Sequence, residues 1–283
     1  MNSLIVSDVT KYYRDIRALN NVSVEFERNK IYGLLGRNGA GKTTLLNIIT
    51  GKIFADRGKV TLNGTEVSEN DEMLRNIFMM SERNYYPEGM KVTDAFRWTK
   101  VFYPGFDEER AVRLADQFGL GTNNKINSLS TGYGSIFKLI TALCVNVPFV
   151  FLDEPVLGLD ANHRELFYRA LIECYSENPA SYIISTHLIE EVSAILEEII
   201  LIRNGEIILK ESRDELLYKY YSVTGSISAV DSYAAGRKVI GADILGGMKT
   251  AYIEGIPDRN SVPDGAEISK IDLQRLFIQL TNA

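Results

Sequence analysis

A net charge of −6 over 283 residues excludes a general binder of nucleic-acid backbone, because such a surface must neutralise phosphates with lysine and arginine. A hydrophobic fraction of 45% against 24% charged excludes a disordered chain and predicts a packed core, as one large domain or one medium domain with a small one. The two cysteines, Cys144 and Cys174, show no metal-ligand spacing and read as buried free thiols of a reducing compartment.

The opening MNSLIVSDVT lacks a basic start followed by a long apolar run, so no signal peptide is expected. VSVEF (Val22 to Phe26) alternates apolar and polar residues, as a half-buried strand does. IYGLL (Ile31 to Leu35) is an apolar strand running into a Gly-rich turn, and TTLLNIIT follows with helical spacing of Leu45, Leu46, Ile48 and Ile49. KVTLNGTEV predicts a hairpin about Asn63-Gly64. From about residue 89 to 128 the pattern becomes helical: KVTDAFRWTKVF and DEERAVRLADQFGL are amphipathic, separated by YPGF (Tyr103 to Phe106). A further helix is expected from about Gly132 to Asn146. LITALCVNVPFVFL (Leu139 to Leu152) contains Pro148 and is too short to span a membrane. FVFLD (Phe149 to Asp153) and SYIIST (Ser181 to Thr186) are apolar strands of the kind buried in a parallel sheet. IILIRNGEIIL (Ile199 to Leu209) is a hairpin about Asn204-Gly205. ESRDELLYKYY then reads as a short helix and DLQRLFIQLT (Asp272 to Thr281) as an amphipathic one. Strands alternating with helices, apolar strands central, imply an α/β core.

The strongest chemical signal is GRNGAGKTT, Gly36 to Thr44, placed between a strand and a helix as a P-loop is. In that motif the backbone of Gly36, Arg37, Asn38, Gly39, Ala40 and Gly41 turns successive N–H groups onto phosphate oxygens. Lys42 brings a positive charge to the β- and γ-phosphates, Thr43 offers a hydroxyl to Mg²⁺, and the helix opening through Thr44 adds its dipole. FVFLDEP delivers Asp153 to a strand tip, where it can join the Mg²⁺ shell, and Glu154 beside it can polarise an attacking water. IISTH delivers His187 to the end of another strand. The other histidine, His163 in ANHRELFYRA, reads as a surface or capping residue. LSTGYG, Leu129 to Gly134, looks like a phosphate-binding turn at the start of a helix, with Thr131 and Tyr133 where smaller or more polar residues would make a cleaner one.

The series P-loop, helical insertion, LSTGYG, FLDEP, GLD (Gly158 to Asp160) and STH resembles the ATP-binding subunits of ABC transporters along about residues 3 to 210. The resemblance implies a P-loop NTPase core of the ABC ATPase type, α/β in class, with an antiparallel β subdomain and a helical insertion at about 83–145. The core would occupy 1–211, with a small C-terminal α+β segment at 212–283 serving dimer support, regulation or docking. It implies ATP and Mg²⁺ as cofactors, Tyr13 (with Tyr12 beside it) stacking on adenine, and Lys42, Glu154 and His187 at the chemistry. Two subunits would close head to tail, each ATP lying between one P-loop and the other's signature turn of Ser130, Thr131, Gly132 and Tyr133, with Asp160 communicating across the pair. A separate transmembrane permease would dock on the region Arg83 to Val92 and the helices after it. The subunit would lie in the cytoplasm, peripheral on the inner face of the cell membrane. The insertion text and the C-terminal extension look most like bacterial exporters of drugs or antimicrobial peptides.

Two departures stand out. The family's Gln at the entry to the insertion corresponds to Glu82, which can still reach Mg²⁺ or the attacking water, and the family's L-S-G-G-Q is altered at Thr131 and Tyr133. The altered turn leaves open a non-hydrolysing nucleotide sensor. A soluble ABC ATPase acting on the ribosome or nucleic acid is the other alternative. Such relatives usually carry two ATPase units or a long coiled coil, whereas this acidic chain has one P-loop and no sustained heptads.

Overall fold

The structure, a computed structural model, describes residues 3–81, 83, 86–87 and 89–282. Strands β1 (Ser3–Tyr13) and β2 (Ile16–Glu27) pair antiparallel, with Leu4 opposite Phe26 and Val6 opposite Val24. β3 (Ile31–Leu35) is buried along its length and feeds helix α1 (Lys42–Ile49). β4 (Arg57–Leu62) pairs antiparallel with β1 and turns into β5 (Thr65–Glu66) at Asn63-Gly64, whose φ values of 53° and 84° are those of the expected tight hairpin. α2 (Asp71–Leu74) and β6 (Ile77–Met80) lead to the helices α3 (Val92–Phe102), α4 (Glu108–Gln117) and α5 (Thr131–Cys144). β7 (Phe149–Asp153), α6 (Ala161–Glu177), β8 (Ser181–Thr186), α7 (Ile189–Val192), β9 (Glu198–Arg203) and β10 (Glu206–Ser212) follow, the last two joined at Asn204-Gly205 with φ of 50° and 78°.

Two sheets enclose α1. One is four-stranded, in order β2-β1-β4-β5; the other is six-stranded, in order β10-β9-β3-β8-β7-β6. In the larger sheet β3 runs parallel to β8, β8 to β7 and β7 to β6, so their C-terminal ends lie along one edge. That edge is where open α/β sheets place their ligands. The core gathers Leu4, Val24 and Phe26, the α1 residues Leu45, Leu46 and Ile49, and Tyr32, Leu34, Phe149 and Phe151. Full burial of each α1 side chain contributes roughly 1.5–3 kcal/mol, which holds the helix start rigidly at the end of β3.

The remaining elements are α8 (Arg213–Lys219), β11 (Tyr220–Ser226), α9 (Ile227–Ala234), β12 (Lys238–Leu245), β13 (Met248–Glu254), β14 (Ala266–Lys270) and α10 (Leu273–Asn282). Their strands form an antiparallel sheet in order β12-β13-β11-β14, with a core of Tyr221, Val223, Val230, Tyr233, Ala251 and Ile253. The chain divides into two compact units, Met1–His187 with Ile200–Lys210, and Leu188–Ile199 with Glu211–Ala283. Leu188–Ile199 falls with the second unit because Arg213 ties it there. The Arg213 guanidinium donates to the carbonyls of Ser193 at 3.2 Å and Ala194 at 3.0 Å, and its backbone N–H donates to that of Glu197 at 2.8 Å.

Two boundaries differ from the sequence expectation. α5 ends at Cys144 rather than Asn146, because Asn146 turns left-handed with φ 50° two residues before Pro148. The helix expected through ESRDELLYKYY stops at Lys219. Tyr220 and Tyr221 pair with Glu254 and Ile253 in β11, where their buried rings suit a sheet better than a short exposed helix. Cys144 and Cys174 are buried free thiols, and burial pushes both pKa values up.

Candidate active site

Three parallel strands deliver the polar groups. β3 ends in the Gly36–Gly41 turn, and α1 begins with Gly41 in the left-handed conformation (φ 107°), with no side chain capping its first N–H groups and no acid in its first turn. A helix start left open in this way is ready for an anion. Glycine is required at the turn's two ends. A Cβ at Gly36 would lie 2.6 Å from the Ile202 carbonyl oxygen, and one at Gly41 would lie 2.8 Å from that of Ala18. Both neighbours are backbone and cannot swing aside.

Lys42 is only 6% exposed, and its ammonium donates to the Gly36 carbonyl at 2.7 Å and stands 3.7 Å from Glu154 Oε1. Burial depresses its pKa, with Glu154 and Asp153 pulling in the opposite direction. Thr43 Oγ1 donates to Asp153 Oδ2 at 2.8 Å and Ser185 Oγ to Asp153 Oδ1 at 3.0 Å. Burial still raises the Asp153 pKa against those two hydroxyls. Glu154 is held just as closely: Thr186 Oγ1 donates to Oε2 at 3.1 Å and His187 Nδ1 to Oε1 at 2.9 Å. Its backbone sits at φ 47°, left-handed for a residue with a Cβ, and its N–H donates to the Ser185 carbonyl at 2.8 Å. A non-glycine residue held there costs on the order of 1 kcal/mol or more. The surrounding bonds supply that cost and fix the carboxylate in front of Lys42.

The structure thus brings Lys42, Thr43, Asp153, Glu154 and His187 into one cluster, and adds Ser185 and Thr186. Sequence reading passed these two over because they sit inside an apolar strand; the signal was their place directly before His187. Arg37, Asn38, Gly39, Ala40 and Thr44 lie in the turn and first helical turn with Lys42. Tyr13 lies apart at the end of β1, half-exposed, with the Lys11 ammonium 5.9 Å from its ring centroid; the Tyr12 N–H is held by Asp56 at 2.6 Å. Glu82 lies outside the described residues.

The signature residues gather elsewhere, at the start of α5, against the loop between β7 and α6 that carries Gly158 and Asp160. Ser130 caps α5, its Oγ accepting from the Tyr133 N–H at 3.3 Å. Gly132 and Thr131 approach Gly158, and Tyr133 meets His163. Asp160 caps α6, accepting from the His163 N–H at 2.9 Å, and His163 Nδ1 also reaches it at 2.9 Å. His163 is therefore part of a cap, as its sequence suggested.

The Thr186 hydroxyl that donates to Glu154 can be tested by a single substitution. Thr186 is fully buried, so Thr186→Val should keep the strand's volume while removing a donor from a carboxylate. For the ATPase that the sequence resemblance implies, losing a charge-assisted hydrogen bond of about 1.5–3 kcal/mol predicts a fall in kcat of roughly ten-fold or more with little change in KM for ATP. An unchanged kcat in steady-state phosphate release would remove Thr186 from the site.

Comparison with known proteins places this geometry. A family model described as ABC transporter matches residues 19–157. The chain is 31% identical over 217 residues to the putative ABC transporter ATP-binding protein AlbC of Bacillus subtilis, covering 73% of this chain and 90% of that one. It is 30% identical over 214 residues to the lantibiotic transport ATP-binding protein SrtF of Streptococcus pyogenes, covering 75% and 91%. Among solved structures, the ATP-binding subunit of an ABC transporter superposes with a TM-score of 0.66 at 25% identity, covering 75% and 91%. A dimeric ATP-binding cassette bound to ADP and Pi shares the fold with a TM-score of 0.66 at 24% identity, covering 74% and 98%. The chain belongs to the ABC transporter ATP-binding family, and its enzymatic activity is that of an ATPase.

Proposed function

We propose that this chain powers a bacterial exporter of drugs or peptides, as a cytoplasmic subunit peripheral to a separate membrane-spanning permease. The observation that carries the proposal is the cluster at the sheet edge: a buried lysine, two carboxylates and a histidine, each from the end of a parallel strand or the helix after it. Phosphoryl transfer asks the protein mainly for positioning and charge stabilisation, and these groups provide both. In this reading the Gly36–Gly41 N–H groups and Lys42 hold the ATP phosphates. Glu154 accepts a proton from the attacking water, and His187 steers that carboxylate and the γ-phosphate. Tyr13 stacks on adenine.

The Thr43 hydroxyl and the Asp153 carboxylate suit Mg²⁺, a hard cation that takes few protein ligands and completes its shell with phosphate and water oxygens. Mg²⁺ would neutralise charge on the phosphates, and burial of Asp153 makes a cation welcome there.

Two subunits, alike or different, would close head to tail, so that Ser130, Thr131, Gly132, Tyr133 and Asp160 of one face the ATP of the other. The separate permease accords with the described residues, which include no helix long and apolar enough to cross a membrane. The similarity to a lantibiotic transport protein supports export. The test is affinity purification of the tagged chain from crosslinked cells: a multi-span membrane protein should co-purify through α3 to α5, whereas ribosomal or nucleic-acid partners would overturn the transport reading.

A further inference from the structure

We infer that His163 and Tyr133 are positioning residues that lock the signature turn to the loop carrying Asp160, so that both surfaces facing a second subunit move as one piece. The inference rests on the reading of the signature turn given above.

Three elements converge on His163. It stands in the first turn of α6, where its backbone N–H and its Nδ1 each bind a different oxygen of Asp160 at 2.9 Å. Its ring lies nearly parallel to that of Phe118 at the end of α4, with centroids 6.2 Å apart and planes at 17°. Tyr133, from the first turn of α5, meets the same imidazole edge-on at 6.2 Å and 71°. The Tyr133 hydroxyl rests over Gly119, 3.5 Å from where a Cβ would stand. Gly119 has φ 66°, so a side chain there would be strained as well as close.

The turn's other odd residue faces the same way. Thr131 Cγ2 lies 4.0 Å from the position of a Cβ on Gly158, and a Cβ on Gly132 would lie 3.4 Å from the Gly158 carbonyl oxygen. The two departures from L-S-G-G-Q therefore both have partners inside the chain. A glutamine at 133 offers no ring edge to an imidazole, and a glycine at 131 offers no methyl to Gly158. Tyr133 is 37% exposed and the Asp160 side chain 65%, so each keeps a free side toward a partner while its other side is fixed. Phe118 is buried and anchors the imidazole from behind. None of these groups belongs to the Lys42–Glu154 cluster, so the lock should act on turnover without touching the chain's own grip on ATP.

The experiment is steady-state ATPase activity and equilibrium ATP binding of the full chain, with melting curves to confirm folding. Tyr133→Ala and His163→Ala should each lower kcat about ten-fold, and His163→Ala, which lies outside the surfaces facing ATP, should leave the ATP Kd unchanged. The double variant should lose no more than either single one, because both break the same lock. His163→Phe keeps the ring contacts without the Asp160 bond, and His163→Gln can keep a hydrogen bond to Asp160 without the rings. Each should restore part of the lost kcat. Ser130→Ala separates the two levels. If it lowers kcat while Tyr133→Ala and His163→Ala do not, the lock is overturned and the signature reading stands. If Ser130→Ala leaves kcat unchanged, the signature reading falls and the lock with it. A double variant whose losses multiply also overturns the lock.

Discussion

Glu154→Gln is expected to bind ATP with near wild-type affinity, to lose turnover by a factor of about 10²–10⁴, and to accumulate as an ATP-bound dimer. The amide is nearly isosteric: its oxygen can accept from His187 Nδ1 while its NH2 donates to Thr186 Oγ1, the hydroxyl rotating to accept, so the packing of the site survives. What disappears is the capacity to take a proton from water. In the proposed reading the phosphate grip belongs to Gly36–Gly41 and Lys42, which the substitution leaves in place, and removing a carboxylate beside Lys42 would lower repulsion toward a bound γ-phosphate. ATP should then hold two subunits together with no hydrolysis to part them. Single-turnover phosphate release and size-exclusion chromatography with and without ATP measure both consequences. Turnover within a few-fold of wild type would remove Glu154 as the base, and a monomer in saturating ATP would remove the head-to-tail closure.

Lys42→Met should separate function from stability. The methionine keeps most of the buried stem and deletes the ammonium, so the charge-assisted bonds to phosphate are lost. Truncating one member of a buried charge pair costs about 2–5 kcal/mol, which predicts a loss of ATP affinity of thirty-fold or more. The fold should not suffer in proportion. Burial depresses the Lys42 pKa, and a lysine whose folded pKa lies below its unfolded value contributes stability above the unfolded pKa and loses it as pH falls through the folded one. Lys42→Met relieves that burial cost while losing the bond to the Gly36 carbonyl and the pairing with Glu154, so the nucleotide-free fold should lose far less than ATP binding does. Isothermal titration with ATP and a thermal melt on one preparation check both halves. A melting temperature lowered by several degrees with ATP affinity intact would mean that Lys42 is structural.

Some of the molecule could be read before its structure because one physical requirement dominated locally. β3, β7 and the middle of β8 are covered on both faces, so IYGLL, FVFL and YII read as apolar stretches. The Gly36–Gly41 turn is legible because backbone carbonyls stand where a Cβ would be, and only glycine admits them. The Asn-Gly hairpins announce themselves because both turn residues take positive φ, which asparagine and glycine accept. The rest depended on residues far apart in the chain. Tyr220 and Tyr221 looked helical from their neighbours but are drawn into a strand by Ile253 and Glu254. Leu188–Ile199 follows the core in sequence, yet Arg213 claims it for the second unit. His163 looked like a lone cap because Phe118 and Tyr133, which meet its ring, come from two other helices. Thr186 looked like strand filler because its hydroxyl bond spans thirty-two positions to Glu154.

The left-handed backbone at Glu154 sets chemistry against folding at a single residue. Glycine adopts φ 47° without penalty and asparagine with little, so a chain selected for stability alone would drift toward either. Keeping glutamate there is a standing selective load, carried only while its carboxylate is in use. A duplicated copy of this subunit released from hydrolysis would be expected to surrender that acid early, and to become more stable as it did so. In a heterodimeric pair, the identity of the residue at this one strained position would then tell which of the two ATP sites still turns over.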